Sequence, residues 1–183
     1  RLGPLFAKAC RQLVDDGAMQ DIAFVSPMAT PRIRAQFEAQ VAAAGIADRF
    51  LLVDGDSETV LTAADAALIT SGTATLEAAL ADTPMVVVYR TSWLTYNLAK
   101  SMVRVRHIAL VNLIAGRELV PEFVTPENPV DEMTRACLDR IFDTETRREC
   151  LEALEHALAP AFRPGAADRA AAEANRALSK AEA

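Results

Sequence analysis

The segment SGTATLEAAL (71–80) places small and hydroxyl-bearing residues directly before a helical pattern that carries one acid. The first turn of a helix presents backbone N–H groups without intrahelical partners and a partial positive charge. Gly72 has no side chain, so a ligand can approach the backbone closely, and Thr73 and Thr75 add hydroxyl donors. This combination favours the binding of a phosphate or a diphosphate.

Glu77, one turn into the predicted helix, does not fit the capping box, because the position three residues earlier is Ala74. A carboxylate repels an adjacent phosphate, but it can accept hydrogen bonds from a ribose diol one sugar away. The residues alone leave open a second interpretation, in which Glu77 complements the helix dipole. The Walker lysine and the G-x-G-x-x-G motif, the two common nucleotide fingerprints, do not occur in the sequence.

A second polar segment, VNLIAGRELVPE (111–122), follows an apolar run. We predict that Asn112 ends a strand and that Arg117 and Glu118 open a helix after a turn at Gly116. An arginine can fork onto a phosphate, and an asparagine can both donate to and accept from a sugar. The residues by themselves favour another interpretation, in which Asn112 caps a turn and Arg117 pairs with a neighbouring glutamate in solvent.

Other residues that could carry chemistry give weaker patterns. Asp54 and Asp56 form an Asp-x-Asp pair, which holds a divalent metal in some proteins, but the flanking residues favour a turn with Asp56 as a helix N-cap. We therefore predict no metal site and no cofactor. His107 is predicted to start a strand, with no partner at a useful spacing. Three widely spaced cysteines, without a CxxC motif, favour free thiols in a reducing compartment.

The composition is that of a globular domain. The 183 residues are 51% apolar and 24% charged, which is enough to bury a sizeable core in one domain. The net charge of −6 argues against a general affinity for nucleic acid. We find neither a signal peptide nor an apolar segment long enough to span a bilayer, which favours the cytoplasm. Because the chain begins with arginine rather than methionine, we expect it to be part of a longer protein.

Short apolar strands alternate with helices along the first two thirds of the chain. This order predicts a doubly wound parallel sheet, in which ligands bind at the carboxyl ends of the strands. The strands are predicted within 22–25, 49–55, 66–70, 85–89 and 107–112. The residues at the predicted binding edge are 26–29, 54–57, 70–75, 90–93 and 111–116.

One predicted helix, within TSWLTYNLAKSMVRVRH (91–107), mixes aromatic, aliphatic and basic side chains. That mixture is typical of a helix lying at a membrane interface. It is equally typical of a buried helix with a solvated basic end, and periodicity does not separate the two.

The stretches SGTATLEAALADTPMVVVYR, LTYNLAK and NLIAGRELVPE, in this order and spacing, resemble lipid-A-disaccharide synthase, a two-domain GT-B glycosyltransferase. The resemblance runs from about Leu2 to the C-terminal helices. It implies the Rossmann-like C-terminal half of a GT-B enzyme, with a nucleotide-sugar-binding domain at 1–160. A C-terminal helix at 161–183 would then pack on the absent N-terminal domain or on a partner. The resemblance assigns the UDP-sugar site to Ser71, Gly72, Thr73, Ala74, Thr75, Glu77, Asn112, Arg117 and Glu118.

The implied reaction transfers a hexosyl group from UDP-2,3-diacylglucosamine to 2,3-diacylglucosamine 1-phosphate, at the anionic surface of the inner membrane. In this family the acceptor site, the acidic general base and a Pro-Gly-Ser-Arg loop belong to chain that would precede Arg1. We therefore assign no catalytic residue here and expect weak UDP binding without turnover. Two alternatives remain: another UDP-sugar glycosyltransferase or epimerase of this fold, which the 112–118 segment disfavours, and a non-catalytic binding module.

Overall fold

The computed structural model of the chain describes residues 2–16, 21–70, 72–90, 107–125 and 129–159. Helices and strands alternate over most of this length, which confirms the predicted α/β class. In chain order the elements are α1 (Gly3–Asp15), β1 (Phe24–Met28), α2 (Pro31–Ala43), a short 3₁₀ helix (Ala47–Arg49), β2 (Phe50–Asp54), α3 (Ser57–Ala63), β3 (Ala67–Thr70), α4 (Ala74–Leu80), β4 (Met85–Arg90), α5 (Leu110–Ala115), β5 (Glu122–Thr125), α6 (Val130–Phe142) and α7 (Thr144–Leu158).

The described strands form two parallel ladders. One contains β1 and β2, with Phe24 opposite Phe50, and the other has the order β3-β4-β5. Because every pairing is parallel, the carboxyl ends of the strands in each ladder lie at one edge. Phe24 and Leu68 contribute to the same apolar cluster, so the two ladders share a core.

Strand β4 lies between the two main apolar clusters of the core. Its residues from Met85 to Val88 are almost completely buried. Met85 and Val87 face a cluster formed with α4, α5 and α7, whereas Val86 and Val88 face a cluster formed with α1 and α6. Successive side chains of a strand point to opposite faces, and a strand covered on both faces is apolar throughout. Helices on both faces confirm the doubly wound arrangement.

Residues close in sequence set both ends of helix α2. Thr30 is the N-cap residue, and its hydroxyl oxygen accepts a hydrogen bond from the backbone N–H of Ile33 at 3.2 Å. Pro31 occupies the first turn, where its missing N–H costs no helical hydrogen bond. After the helix, Gly45 adopts a φ of +70°, a conformation that glycine allows without strain.

The predicted strand at 107–112 is wrong, because the chain forms α5 from Leu110 onwards. A short apolar run without clear alternation fits either a strand or a buried helix. Here Ala109 and Val111 lie at the start of a helix and are buried in the apolar core. The fifth strand lies later, at Glu122–Thr125. Arg117 and Glu118 also do not open a helix, since they lie in the irregular link between α5 and β5.

The predicted helix in 91–107 lies outside the described residues up to position 106, and the predicted C-terminal helix at 161–183 lies outside them entirely. The boundary at residue 160 therefore stays a prediction. Within the described parts of the chain, no helix has the length and apolar character needed to cross a bilayer.

The buried thiols lead to a first testable prediction. Burial raises the pKa of Cys10 and of Cys137 to about 12, and it also raises the pKa of Cys150. The thiolate is the reactive form, and about one thiol in ten thousand is ionised at pH 8 when the pKa is 12. We expect the folded chain to resist alkylation by iodoacetamide at pH 8 and to incorporate three labels in urea, as measured by mass spectrometry. If all three thiols of the folded chain were labelled as fast as they are in urea, this packing would be contradicted.

Candidate functional site

The turn between β3 and α4 has an open surface and an unusual backbone. Gly72 adopts a φ of +130°, a region that residues with a Cβ rarely enter. Apart from the two adjacent residues, a Cβ built at this position would meet no atom within 4 Å. Within the described residues, the first backbone N–H groups of the turn to donate are those of Thr75, Leu76 and Glu77. The N–H groups of 72–74 therefore precede the first intrahelical donor, beside an open surface.

The hydroxyl groups of this turn have different environments. Thr73 is exposed at the N-cap position of α4. Thr75 is fully buried, and its hydroxyl donates a hydrogen bond to the carbonyl oxygen of Gly72 at 2.8 Å. The expectation that the Thr75 hydroxyl is offered to a ligand is therefore corrected, because that group closes the turn from within. Ser71 lies outside the described residues.

Glu77 lies on the exposed side of α4 and contacts the beginning of α3. The Ser57 hydroxyl donates to Oε2 of Glu77 at 3.4 Å. The sequence places both residues shortly after strands, but it does not reveal that their side chains meet across 20 positions. Two successive crossovers bring the start of α3 beside α4, so Ser57, which belongs to the predicted binding-edge segment 54–57, lies beside Glu77.

The end of β2 is tied to helix α2 by an arginine. Arg34 donates to the carboxylate of Asp54 at 2.8 Å and to the carbonyl oxygen of Leu52 at 2.9 Å. Asp56 precedes α3 as predicted, but its backbone is left-handed, with a φ of 57°, and its side chain makes no capping hydrogen bond to α3. Within the described residues, no group of three or more His, Cys, Asp or Glu side chains could hold a metal ion.

Asn112 is fully buried in α5, and protein groups use its entire hydrogen-bonding capacity. Its Nδ2 donates to the carbonyl oxygen of Val120 at 2.8 Å and to Oε1 of Glu122 at 2.5 Å. Its Oδ1 accepts from the backbone N–H groups of Leu119 at 2.8 Å and Val120 at 3.0 Å. Asn112 therefore does not end a strand at the binding edge. Its side chain holds the segment between Gly116 and β5 in place by hydrogen bonds to the backbone of Leu119 and Val120.

Glu122 extends this buried network to the residues that precede α5. Its Oε2 accepts a hydrogen bond from the backbone N–H of Ile108 at 2.6 Å. Nδ1 of His107 lies 3.5 Å from Oε1 of Glu122, and both side chains are largely buried. The prediction that His107 starts a strand without a partner is thus wrong, because its partner is a carboxylate 15 positions later.

Arg117 and Glu118 are exposed after Gly116, which ends α5 with a φ of +66°. They lie in the link that leads to β5 rather than at the start of the predicted helix. Helices α4 and α5 pack against each other in the same apolar cluster. The helix that follows the turn at 72–77 is therefore a neighbour of the helix that precedes Arg117 and Glu118. No hydrogen bond or ion pair between described residues joins the 112–122 network to the turn at 72–77.

Comparisons with known proteins agree on one family. The family model described as "Lipid-A-disaccharide synthetase" matches residues 1–172. A protein of Anaeromyxobacter sp. (strain K), named lipid-A-disaccharide synthase, is 40% identical over 173 residues, covering 94% of this chain and 44% of the relative. Proteins with the same name from Azotobacter vinelandii and Syntrophus aciditrophicus are 39% and 34% identical, covering 86% and 100% of this chain and 41% and 47% of their own lengths. The chain thus spans about half the length of the curated relatives it matches.

The burial of Asn112 leads to a prediction about stability. Replacing it by alanine leaves two backbone N–H groups, one carbonyl oxygen and one carboxylate oxygen short of a partner in the core. We expect Asn112→Ala to lower the free energy of unfolding by about 3 kcal/mol or more, measured by urea denaturation.

The matched control is Arg117→Ala, five positions away and exposed. We expect this change to stay within about 0.5 kcal/mol of the wild-type stability. Equal free energies of unfolding for the two variants would mean that the hydrogen bonds of Asn112 do not stabilise the segment between Gly116 and β5.

Proposed function

The chain belongs to the lipid-A-disaccharide synthetase family, and we propose that it forms the UDP-donor-binding half of a GT-B hexosyltransferase. The proposed reaction transfers the sugar of UDP-2,3-diacylglucosamine to 2,3-diacylglucosamine 1-phosphate. Support comes from the family match over residues 1–172 and from relatives that carry the name lipid-A-disaccharide synthase. Because the chain spans about half of those relatives, the acceptor site and the general base are proposed to lie in the other half.

The observation that carries the proposal is the open turn at 72–77. Gly72 leaves the backbone uncovered, and the N–H groups of 72–74 precede the first intrahelical donor. We propose that the diphosphate of the donor binds these amides, together with Ser71 and the exposed Thr73. The positive end of α4 would add a favourable field for the phosphates. Thr75 would contribute indirectly, since its hydroxyl holds the carbonyl of Gly72.

Glu77 is proposed to bind the ribose of the donor. Ala74 and Glu77 are three positions apart, which is about 4.5 Å along a helix axis. That offset places the carboxylate beyond the phosphates, where it can accept hydrogen bonds from the two ribose hydroxyls. Glu77 is exposed, so its carboxylate is accessible to a ligand at this edge.

Arg117 and Glu118 are proposed to line the far side of the donor cleft. Their exposure and the packing of α5 against α4 support this part of the proposal. Asn112 takes a supporting role, because its buried amide holds the chain on both sides of these two residues. No catalytic residue is proposed within the chain, so we expect it to bind UDP weakly and not to turn over. The proposed setting of the complete enzyme is the cytoplasmic surface of the inner membrane.

Isothermal titration calorimetry tests the proposal with UDP, CDP and ADP as ligands of the chain. We expect UDP to bind more tightly than the other two. Glu77→Ala should weaken UDP binding by about tenfold or more, since a hydrogen bond to a charged group contributes about 1.5–3 kcal/mol.

The control variant is Glu58→Ala, which removes an exposed carboxylate of the neighbouring helix α3. We expect it to leave UDP affinity unchanged within about twofold. No binding of UDP to the wild-type chain, or equal weakening by the two variants, would overturn the proposed site.

A further inference from the structure

The contact between Ser57 and Glu77 joins two helices that follow different strands. Ser57 begins α3 after β2, and Glu77 lies in α4 after β3. The Ser57 hydroxyl oxygen lies 3.4 Å from Oε2 of Glu77, and both residues are exposed at the open edge. The hydroxyl therefore lies beside the carboxylate that is proposed to bind the ribose.

The backbone beneath Ser57 is held from several directions. The N–H of Gly55 donates to the carbonyl oxygen of Met28 at 3.2 Å, which ties the end of β2 to the end of β1. Arg34 fixes Asp54 and Leu52 from the side of α2. Helix α3 itself packs against both β1 and α4. The position of Ser57 is thus set by the fold, while its side chain remains at the surface.

The chemistry of the contact favours an orienting role. A serine hydroxyl has one hydrogen to donate, and an ionised carboxylate accepts at both oxygens. When Ser57 donates to one oxygen, the other oxygen and the remaining lone pairs stay available for the two ribose hydroxyls. A distance of 3.4 Å is longer than the usual O–H···O hydrogen bond, and we expect it to shorten when a ligand orders the carboxylate.

We propose that Ser57 is a positioning residue for ribose recognition, whose hydroxyl holds the Glu77 carboxylate toward the ribose diol of a nucleoside diphosphate. The inference rests on the proposed donor site and names one more residue of it. A glutamate with three rotatable side-chain bonds loses conformational freedom when it binds a ligand, and a neighbouring donor lowers that cost. Removing the hydroxyl should thus affect recognition of ribose more than recognition of phosphate.

Calorimetric titration with UDP and with 2′-deoxy-UDP tests the proposal. We expect the wild-type chain to prefer UDP, because 2′-deoxy-UDP lacks one partner for Glu77. Ser57→Ala should weaken UDP binding by about threefold to tenfold and 2′-deoxy-UDP binding by clearly less, so that the ratio of the two affinities falls. Ser57→Thr keeps the hydroxyl and should restore most of the preference.

Thr62→Ala is the matched control, since it removes an exposed hydroxyl of the same helix that donates to the carbonyl oxygen of Glu58 at 2.9 Å. It should change neither affinity, and thermal unfolding of all variants checks that each is folded. Failure of the wild-type chain to bind UDP would overturn the proposed function, and this inference with it. If UDP binds with a ribose preference that Ser57→Ala leaves intact, or if Ser57→Ala weakens both ligands equally, the role of Ser57 is overturned while the donor site stands.

Discussion

The burial of strand β4 on both faces is the constraint on which the rest of the structure depends. Met85 and Val87 enter one apolar cluster, and Val86 and Val88 enter the other. A strand covered in this way fixes its neighbours in register, since a slip of one residue would exchange the two faces. Strand β3 is consequently held along one side of β4 and β5 along the other. The open turn after β3 and the polar network before β5 therefore rest on the same buried strand.

The two polar segments that resemble one enzyme family differ in physical character. The turn at 72–77 is open, and its exposed groups are those that a ligand can reach. The network around Asn112 is closed, because its amide groups are fully used by Val120, Leu119 and Glu122. Buried polar groups of this kind stabilise one arrangement of the chain when every member is satisfied. A motif residue can thus serve a binding site in two ways. It can contact the ligand itself, or it can hold in place the backbone that contacts the ligand.

Much of the fold follows from local signals, and the failures have a common cause. Thr30, Pro31 and Gly45 are predictable because capping and positive φ depend on residues close in sequence. The apolar run that ends at Asn112 predicts a strand as readily as a helix, since a stretch of six residues has too few turns to reveal a helical period. The contact of Ser57 with Glu77 depends on tertiary structure, as does the burial of Asn112. Residue types predict a chemistry for the candidate site, whereas the packing determines which side chains are available for it.

The most direct test of the account is the location of UDP on the folded chain. In a ¹⁵N NMR titration of the wild-type protein, the backbone amides of Gly72, Thr73 and Ala74 should show the largest chemical-shift changes, because the diphosphate is proposed to bind against them. The amide of Glu77 should shift less, as its N–H already donates to the carbonyl oxygen of Thr73 at 3.1 Å. Saturation with UDP that leaves these amides unmoved, with the largest changes elsewhere in the chain, would contradict the account.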